Sequence, residues 1–421
     1  MFQIMSYYLE NGIRVYFHRV PNIKILTAGI IVRHGSSNEN EETNGISHFI
    51  EHLIMNKNTE NEIMLKGFDE ALNYGASYNA ETTKDSTFFY FTGLSDGLET
   101  YLDCLKESLF INREYSEKLF NNEKKVVLQE YHSTVSSFNQ IQERTMQALY
   151  GNSGLGRMII GKSSNIASFS KKQIVEKINQ VYTPENCSIM IIGDFDEYEV
   201  MDKIKEKFNY IKDTPTIKFT EKVSDSPSIY HNPNYNGSKS VLSIGFRHYE
   251  NERNDLYRLA NKIIVHSMSN FILSKRMVYV LREKMGLIYN ASGFAQNNGN
   301  FHSVGFYTVF DSDNVSEVVK VMLEEIQKLH NNGFEEKEFN YIKNNILTAR
   351  LQERVNMEDQ IYYFAKSIKN DSMYSPENDI RIIKNMTVKD ANEVVKTILD
   401  MNNAGIACIG NCVLDKVVEL M

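Results

Sequence analysis

The chain has 421 residues, 42% of them hydrophobic and 24% charged, with a formal net charge of −8. That length holds two domains or one duplicated unit, and the composition is that of a globular protein able to bury real cores. The negative balance argues against a nucleic-acid partner; modest acidity serves solubility first and attraction of basic peptides second.

In chain order, Asn11-Gly12 separates two apolar-bearing runs and predicts a hairpin. Residues 1–14 lack the cationic and apolar regions of a signal peptide. A strand is expected around Leu26–Val32, and the apolar run Ala28–Val32 falls far short of the ~20 residues of a membrane span. Gly35-Ser36-Ser37 opens an acidic loop from Asn38 to Asn44, and a helix begins near Gly45. Glu62–Tyr74 has helical periodicity, and the strand formers of Thr87–Thr92 predict a strand. A helix is expected from Gly97 to Leu109. Another follows Tyr115, with Ser116 as its N-cap, and passes Glu123 and Glu130. Asn186–Ile192 reads as a strand.

Residues 212–228 are rich in Asp, Thr, Pro, Ser and Lys and read as a linker between domains 1–211 and 229–421. The second half is a faint copy of the first. Tyr115–Phe120 aligns with Phe334–Phe339, which sets Glu123 against Ile342 and Glu130 against Ala349. The fold class expected is a duplicated α+β unit, with the carboxylates kept in one copy. The four cysteines, Cys104, Cys187, Cys408 and Cys412, form no CxxC pair. They read as reduced thiols, which suits a cytoplasmic location.

The segment His48-Phe49-Ile50-Glu51-His52 carries the chemistry. On a helix, His48 and His52 project from one face one turn apart, a spacing that lets two imidazoles share one Zn²⁺. Glu51 lies on that face without being forced to ligate. It is placed to take a proton from zinc-activated water, which the metal brings toward a pKa of ~7. The bland alternative is a helix with two solvent-facing histidines. A catalytic zinc takes three protein ligands. Glu123 and Glu130 share one helix face, and their spacing alone does not choose between them.

The HxxEH order is that of inverted zincins, and the sequence around it resembles the pitrilysin/insulinase family of zinc peptidases, in particular the mitochondrial-processing-peptidase-like subgroup. The matching stretches are Gly35-Ser36, Gly45-Ile46-Ser47, HFIEHLIM, Tyr74-Gly75-Ala76, Asn79-Ala80, Thr87–Tyr90, Glu123 with Glu130, Tyr182–Asn186, Gly193-Asp194 and Leu281–Tyr289. The resemblance implies two homologous domains, each a mainly antiparallel sheet packed with helices, forming half of a clamshell chamber. It implies one zinc per chain, held by His48, His52 and Glu130, with Glu51 as general base and Glu123 in support. Asn79 and Ala80 would lie on an edge strand that pairs with an extended peptide substrate. Arg282 and Tyr289 would reach the substrate backbone and the oxyanion.

The activity implied is that of a metalloendopeptidase cutting oligopeptides or leader and targeting peptides. The chamber would be completed by a second chain, as a homodimer or a heterodimer with a paralogue. The alternative is a non-catalytic assembly or peptide-binding subunit of the same fold.

Overall fold

The computed structural model describes residues 4–56, 61–212, 226–233, 235, 237–251, 254–270, 274–353, 356–369 and 376–412. Most of the expected linker, residues 213–225, lies outside these. The chain forms two compact units.

The first unit is built on a six-stranded sheet. Its strands are β1 (Ile4–Tyr8), β2 (Arg14–Arg19), β3 (Ile25–Val32), β4 (Ser77–Thr82), β5 (Thr87–Leu94) and β6 (Cys187–Gly193). Their order is β1-β2-β6-β3-β5-β4. The β2–β6 pair is parallel and the remaining pairs are antiparallel. The first hairpin turns at Asn11-Gly12, as expected, with the Leu9 N–H donating to the Ile13 carbonyl.

β3 and β6 are buried along nearly their whole length, because both faces of the sheet are covered. One face carries α1 (Ile46–Ile54), α2 (Glu62–Asn73) and α3 (Leu98–Lys106), packed around Ile30, Phe49, Phe89 and Ile191. Ile361, Phe364 and Ile368, from the helix Met357–Lys369, cover Ile31, Phe88, Tyr90, Met190 and Ile192 on the other.

The second unit has a five-stranded sheet of β7 (Ile229–Asn232), β8 (Lys239–Tyr249), β9 (Ile288–Asn298), β10 (Phe301–Asp311) and β11 (Ala404–Ile409), in the order β7-β11-β8-β10-β9. Here too one pair is parallel, β7 with β11, and the rest antiparallel. With β1 set aside, the two sheets have the same order and strand directions, so the faint sequence repeat is a repeat of topology. The fold is α+β in two homologous halves.

The units differ from the expected 1–211 and 229–421 by two exchanged segments. Residues 132–157 belong with the second sheet and residues 354–375 with the first. The helix Ile141–Tyr150 can lie flat on β8 and β11 because Gly245 and Gly405 are cross-strand partners. A Cβ on Gly245 would meet Thr145 at 2.4 Å, and one on Gly405 the Ala148 backbone at 3.0 Å. Thr145 Oγ1 then donates to Ser243 Oγ at 2.7 Å.

The reading of four reduced thiols is corrected. Cys104 and Cys187 are free and buried, but Cys408 and Cys412 are joined as a disulfide with Cα atoms 6.6 Å apart. β11 ends at Ile409, and the turn at Gly410 brings Cys412 back beside it. These cysteines therefore lend no support to the cytoplasmic expectation. Among the described residues no helix is long and apolar enough to cross a membrane.

Candidate metal centre

The site is assembled from α1, β4 and the part of α4 (Glu117–Val135) up to Tyr131, all in the first unit. α1 starts at Gly45, whose φ of +99° is the left-handed conformation that glycine adopts without strain. A Cβ there would also strike the Ile160 carbonyl oxygen at 2.8 Å. The helix buries Ile46, Phe49, Ile50 and Leu53, which leaves His48 and His52 on the opposite stripe. Their rings meet nearly edge-on, with centroids 4.8 Å apart.

Gly45 has no side chain with which to cap the helix. Glu39 does it instead, from the acidic loop Asn38–Asn44. Its carboxylate accepts from the N–H groups of Gly45 and Ser47, both at 2.8 Å, and from Asn44 Nδ2 at 3.0 Å. A carboxylate at a helix N-terminus satisfies orphan donors and meets the positive end of the helix dipole. Burial raises the Glu39 carboxyl above its ordinary value, although these hydrogen bonds oppose the rise. Nothing in local spacing marks Glu39, because its partners are reached only when the loop folds back.

α4 begins as expected, with Ser116 Oγ accepting from the Leu119 N–H at 3.1 Å. It brings Glu130 against both rings. Glu130 Oε2 lies 3.3 Å from His52 Nε2, and Glu130 Oε1 lies 3.8 Å from His48 Nε2. The three ligand atoms all fall within 4.8 Å of one another. Ligand atoms on a tetrahedral zinc are separated by about 3.3 Å, given bonds near 2.0–2.1 Å. Two imidazoles and a carboxylate are also a donor set that zinc prefers.

Glu123, buried two turns earlier on the same face, reaches the other nitrogen of His52, at 3.6 Å from Nδ1. A carboxylate behind a ligating histidine fixes its ring and raises its basicity. Burial depresses His52, but Glu123, Glu130 and Glu51 outweigh it and lift the ring to about 9. Glu130 is held below the ordinary carboxylate range by His52 first and His48 second. The cluster thus favours positive charge at its centre, which a divalent cation supplies. These residues fit zinc, with His48, His52 and Glu130 as the ones that would hold it.

Glu51 stands beside this group, not in it. Its Oε2 accepts from Thr82 Oγ1 at 2.5 Å, at the end of β4. Burial raises the Glu51 carboxyl, and the Thr82 hydrogen bond and neighbouring His52 counteract part of that rise. No sequence motif marks Thr82. The signal available was alternation, since Tyr78, Ala80 and Thr82 share the inward face of β4 while Ser77, Asn79 and Glu81 are exposed.

Asn79 and Ala80 lie on β4, an edge strand paired with β5 and, among the described residues, with no other strand. Asn79 Oδ1 accepts from the Ala80 N–H at 2.9 Å.

Arg282 and Tyr289 belong to the second unit. Arg282 lies in a wide helical turn, Tyr279–Lys284, beside Glu283 at 3.6 Å. Its guanidinium sits 5.5 Å from the centroid of the Tyr289 ring, a cation–π contact. Tyr289 is 85% exposed. It falls at an irregularity in the β9–β10 register, where Thr308 pairs with Ala291 and Phe310 with Ile288. Such bulges re-aim side chains.

Comparison with known proteins gives the family and the fold. The profile of the insulinase peptidases, family M16, matches residues 14–163, and that of the M16 inactive domain matches residues 168–346. The chain belongs to the insulinase family, M16, of peptidases. An uncharacterized zinc protease of Rickettsia felis is 26% identical over 93% of this chain and 94% of its own. The mitochondrial-processing peptidase β subunit of Dictyostelium discoideum is 30% identical over 48% of this chain and 43% of its own. Among solved structures, a protease from Helicobacter pylori superposes with a TM-score of 0.87 at 19% identity, over 97% of this chain and all of its own. The periplasmic protease PqqL of Escherichia coli matches with a TM-score of 0.78 at 17% identity, over 99% of this chain but 50% of its own.

Proposed function

We propose that this chain is a zinc-dependent endopeptidase in which Glu51 is the general base. The observation that carries the reading is the convergence of His48, His52 and Glu130 on one point with Glu51 beside them and Thr82 holding it. Zinc, when bound, supplies Lewis-acid polarisation and makes water acidic enough to be deprotonated near neutral pH.

The residues do the rest. Glu123 keeps the His52 ring oriented. The outer edge of β4 around Asn79 and Ala80 takes an extended peptide as a further strand, which displaces Asn79 Oδ1 from the Ala80 N–H. Glu51 takes a proton from the attacking water and returns it to the leaving amine. Arg282 and Tyr289 are donors suited to the substrate backbone and to the oxyanion of the tetrahedral intermediate.

Oligopeptides and unfolded leader-type segments are the substrate class, since edge pairing requires an extended chain. The match to half of PqqL supports a working unit of two chains, either two copies or this chain with a paralogue.

The test is to measure bound zinc and peptide cleavage in wild type and Glu51→Gln. Zinc retained with cleavage lost supports the scheme; unchanged cleavage removes Glu51 from its role.

A further inference from the structure

We infer that Thr82 is a positioning residue for the reaction: it aims the Glu51 carboxylate and ties it to the strand on which the peptide pairs. The inference rests on the reading of Glu51 as base and of β4 as the substrate edge.

The hydroxyl of Thr82 has one proton to give, and it gives it to Glu51 Oε2 at 2.5 Å. Hydrogen bonds to an ionised acceptor are among the stronger ones. A carboxylate accepts through two oxygens, so engaging Oε2 leaves Oε1 to take the proton of water. Glutamate has three rotatable side-chain bonds. With nothing holding its tip, it would spread over several rotamers and be correctly aimed only part of the time.

Thr82 itself is well held. It is buried, and its β-branched side chain has few rotamers. It forms the last pair of the β4–β5 ladder, opposite Thr87, whose Oγ1 donates to the His34 carbonyl at 2.9 Å. The turn that follows is closed by the Thr83 N–H to the Ser86 carbonyl at 2.8 Å, and Thr83 Oγ1 lies 3.1 Å from both Ser86 O and Ser86 Oγ.

Three residues therefore sit in series on one short strand: Asn79 and Ala80 at the peptide edge, then Thr82 on the base. A peptide registered on β4 is by that fact registered against Glu51. Displacements near 1 Å are enough to cost catalysis heavily.

The experiment compares Thr82→Val, which keeps the shape and removes the hydroxyl, with Thr82→Ser, which keeps the hydroxyl, and with Thr82→Ala as a second removal in case valine folds poorly. The probe is a set of internally quenched decapeptides cut by the wild-type protein. Zinc per chain and peptide affinity in the Glu51→Gln background are measured beside the kinetics.

The expected result is a fall in kcat of about ten- to a hundredfold in the valine and alanine variants, with KM unchanged. Zinc content stays the same, the peptide binds E51Q and E51Q/T82V equally, and serine recovers most of kcat. Wild-type kcat in T82V while E51Q is inactive overturns the inference and leaves the function standing. Equal losses in T82V and T82S, or a loss confined to KM, overturn it as well. An active E51Q overturns both.

Discussion

The two halves share a strand order and a helical cover, yet among the described residues only one carries a constellation of ligands. α4 and the helix Glu336–Gln352 make the difference concrete. Phe120 and Phe339 are both buried near their starts. One turn on, the first helix turns Glu123 inward beside His52, whereas the second turns Ile342 into an apolar core. Glu130 meets two imidazoles, whereas its counterpart Ala349 carries no ligand atom, and residues 229–421 do not repeat HFIEH. The scaffold packs an aliphatic at the inward position of the second half, so the topology does not require a buried carboxylate there. A buried carboxylate costs desolvation, and the proposed function gives that of Glu123 a role, support of His52 as a zinc ligand.

This contrast sets the expected mutational effects. Glu51→Gln should lower cleavage by about 10²–10⁴-fold with zinc retained, read from peptide kinetics together with metal analysis. Nothing in the second half should produce a comparable loss by proton transfer. Ile342→Glu, the reciprocal change, places a carboxylate among the apolar side chains of the second core. It should cost about 3–5 kcal/mol in chemical denaturation and bind no additional zinc. Glu123→Gln keeps the shape of the side chain and removes its charge behind His52. Zinc affinity should fall about 10–100-fold in a competitive chelator titration.

The repeat itself was legible because Tyr115–Phe120 and Phe334–Phe339 open equivalent helices. The metal helix was legible because His48, Glu51 and His52 lie within two turns, where spacing alone dictates direction. The choice between Glu123 and Glu130 was not, since seven residues put both on one face and only packing against α1 decides which meets both rings. Glu39 and Thr82 were missed because each acts across a loop closure that no local pattern encodes. The exchanged segments were missed for a related reason. An amphipathic helix advertises an apolar face but not the sheet it will cover, and here Gly245 and Gly405 make the seat for Ile141–Tyr150. The disulfide escaped because four-residue spacing suggests a pair only once the strand end at Ile409 and the turn after it are known.

A smaller effect concerns stability near the site. Burial first, and Lys177 second, lower His34 from 6.5 to about 3. The unfolded chain therefore takes up this proton before the folded one. The stability that neutral His34 contributes is complete above its unfolded value and drains as pH falls from 6.5 toward 3. Between pH 7.5 and 5.5 the loss should be about 1 kcal/mol, seen as a shallower pH dependence of denaturation in His34→Gln than in wild type.

The most direct test is the zinc content of the purified chain, wild type against Glu130→Ala. One zinc per chain is expected in wild type and a small fraction of that in the variant, with folding intact. A full complement of zinc in Glu130→Ala, or none in wild type after incubation with zinc, would contradict this.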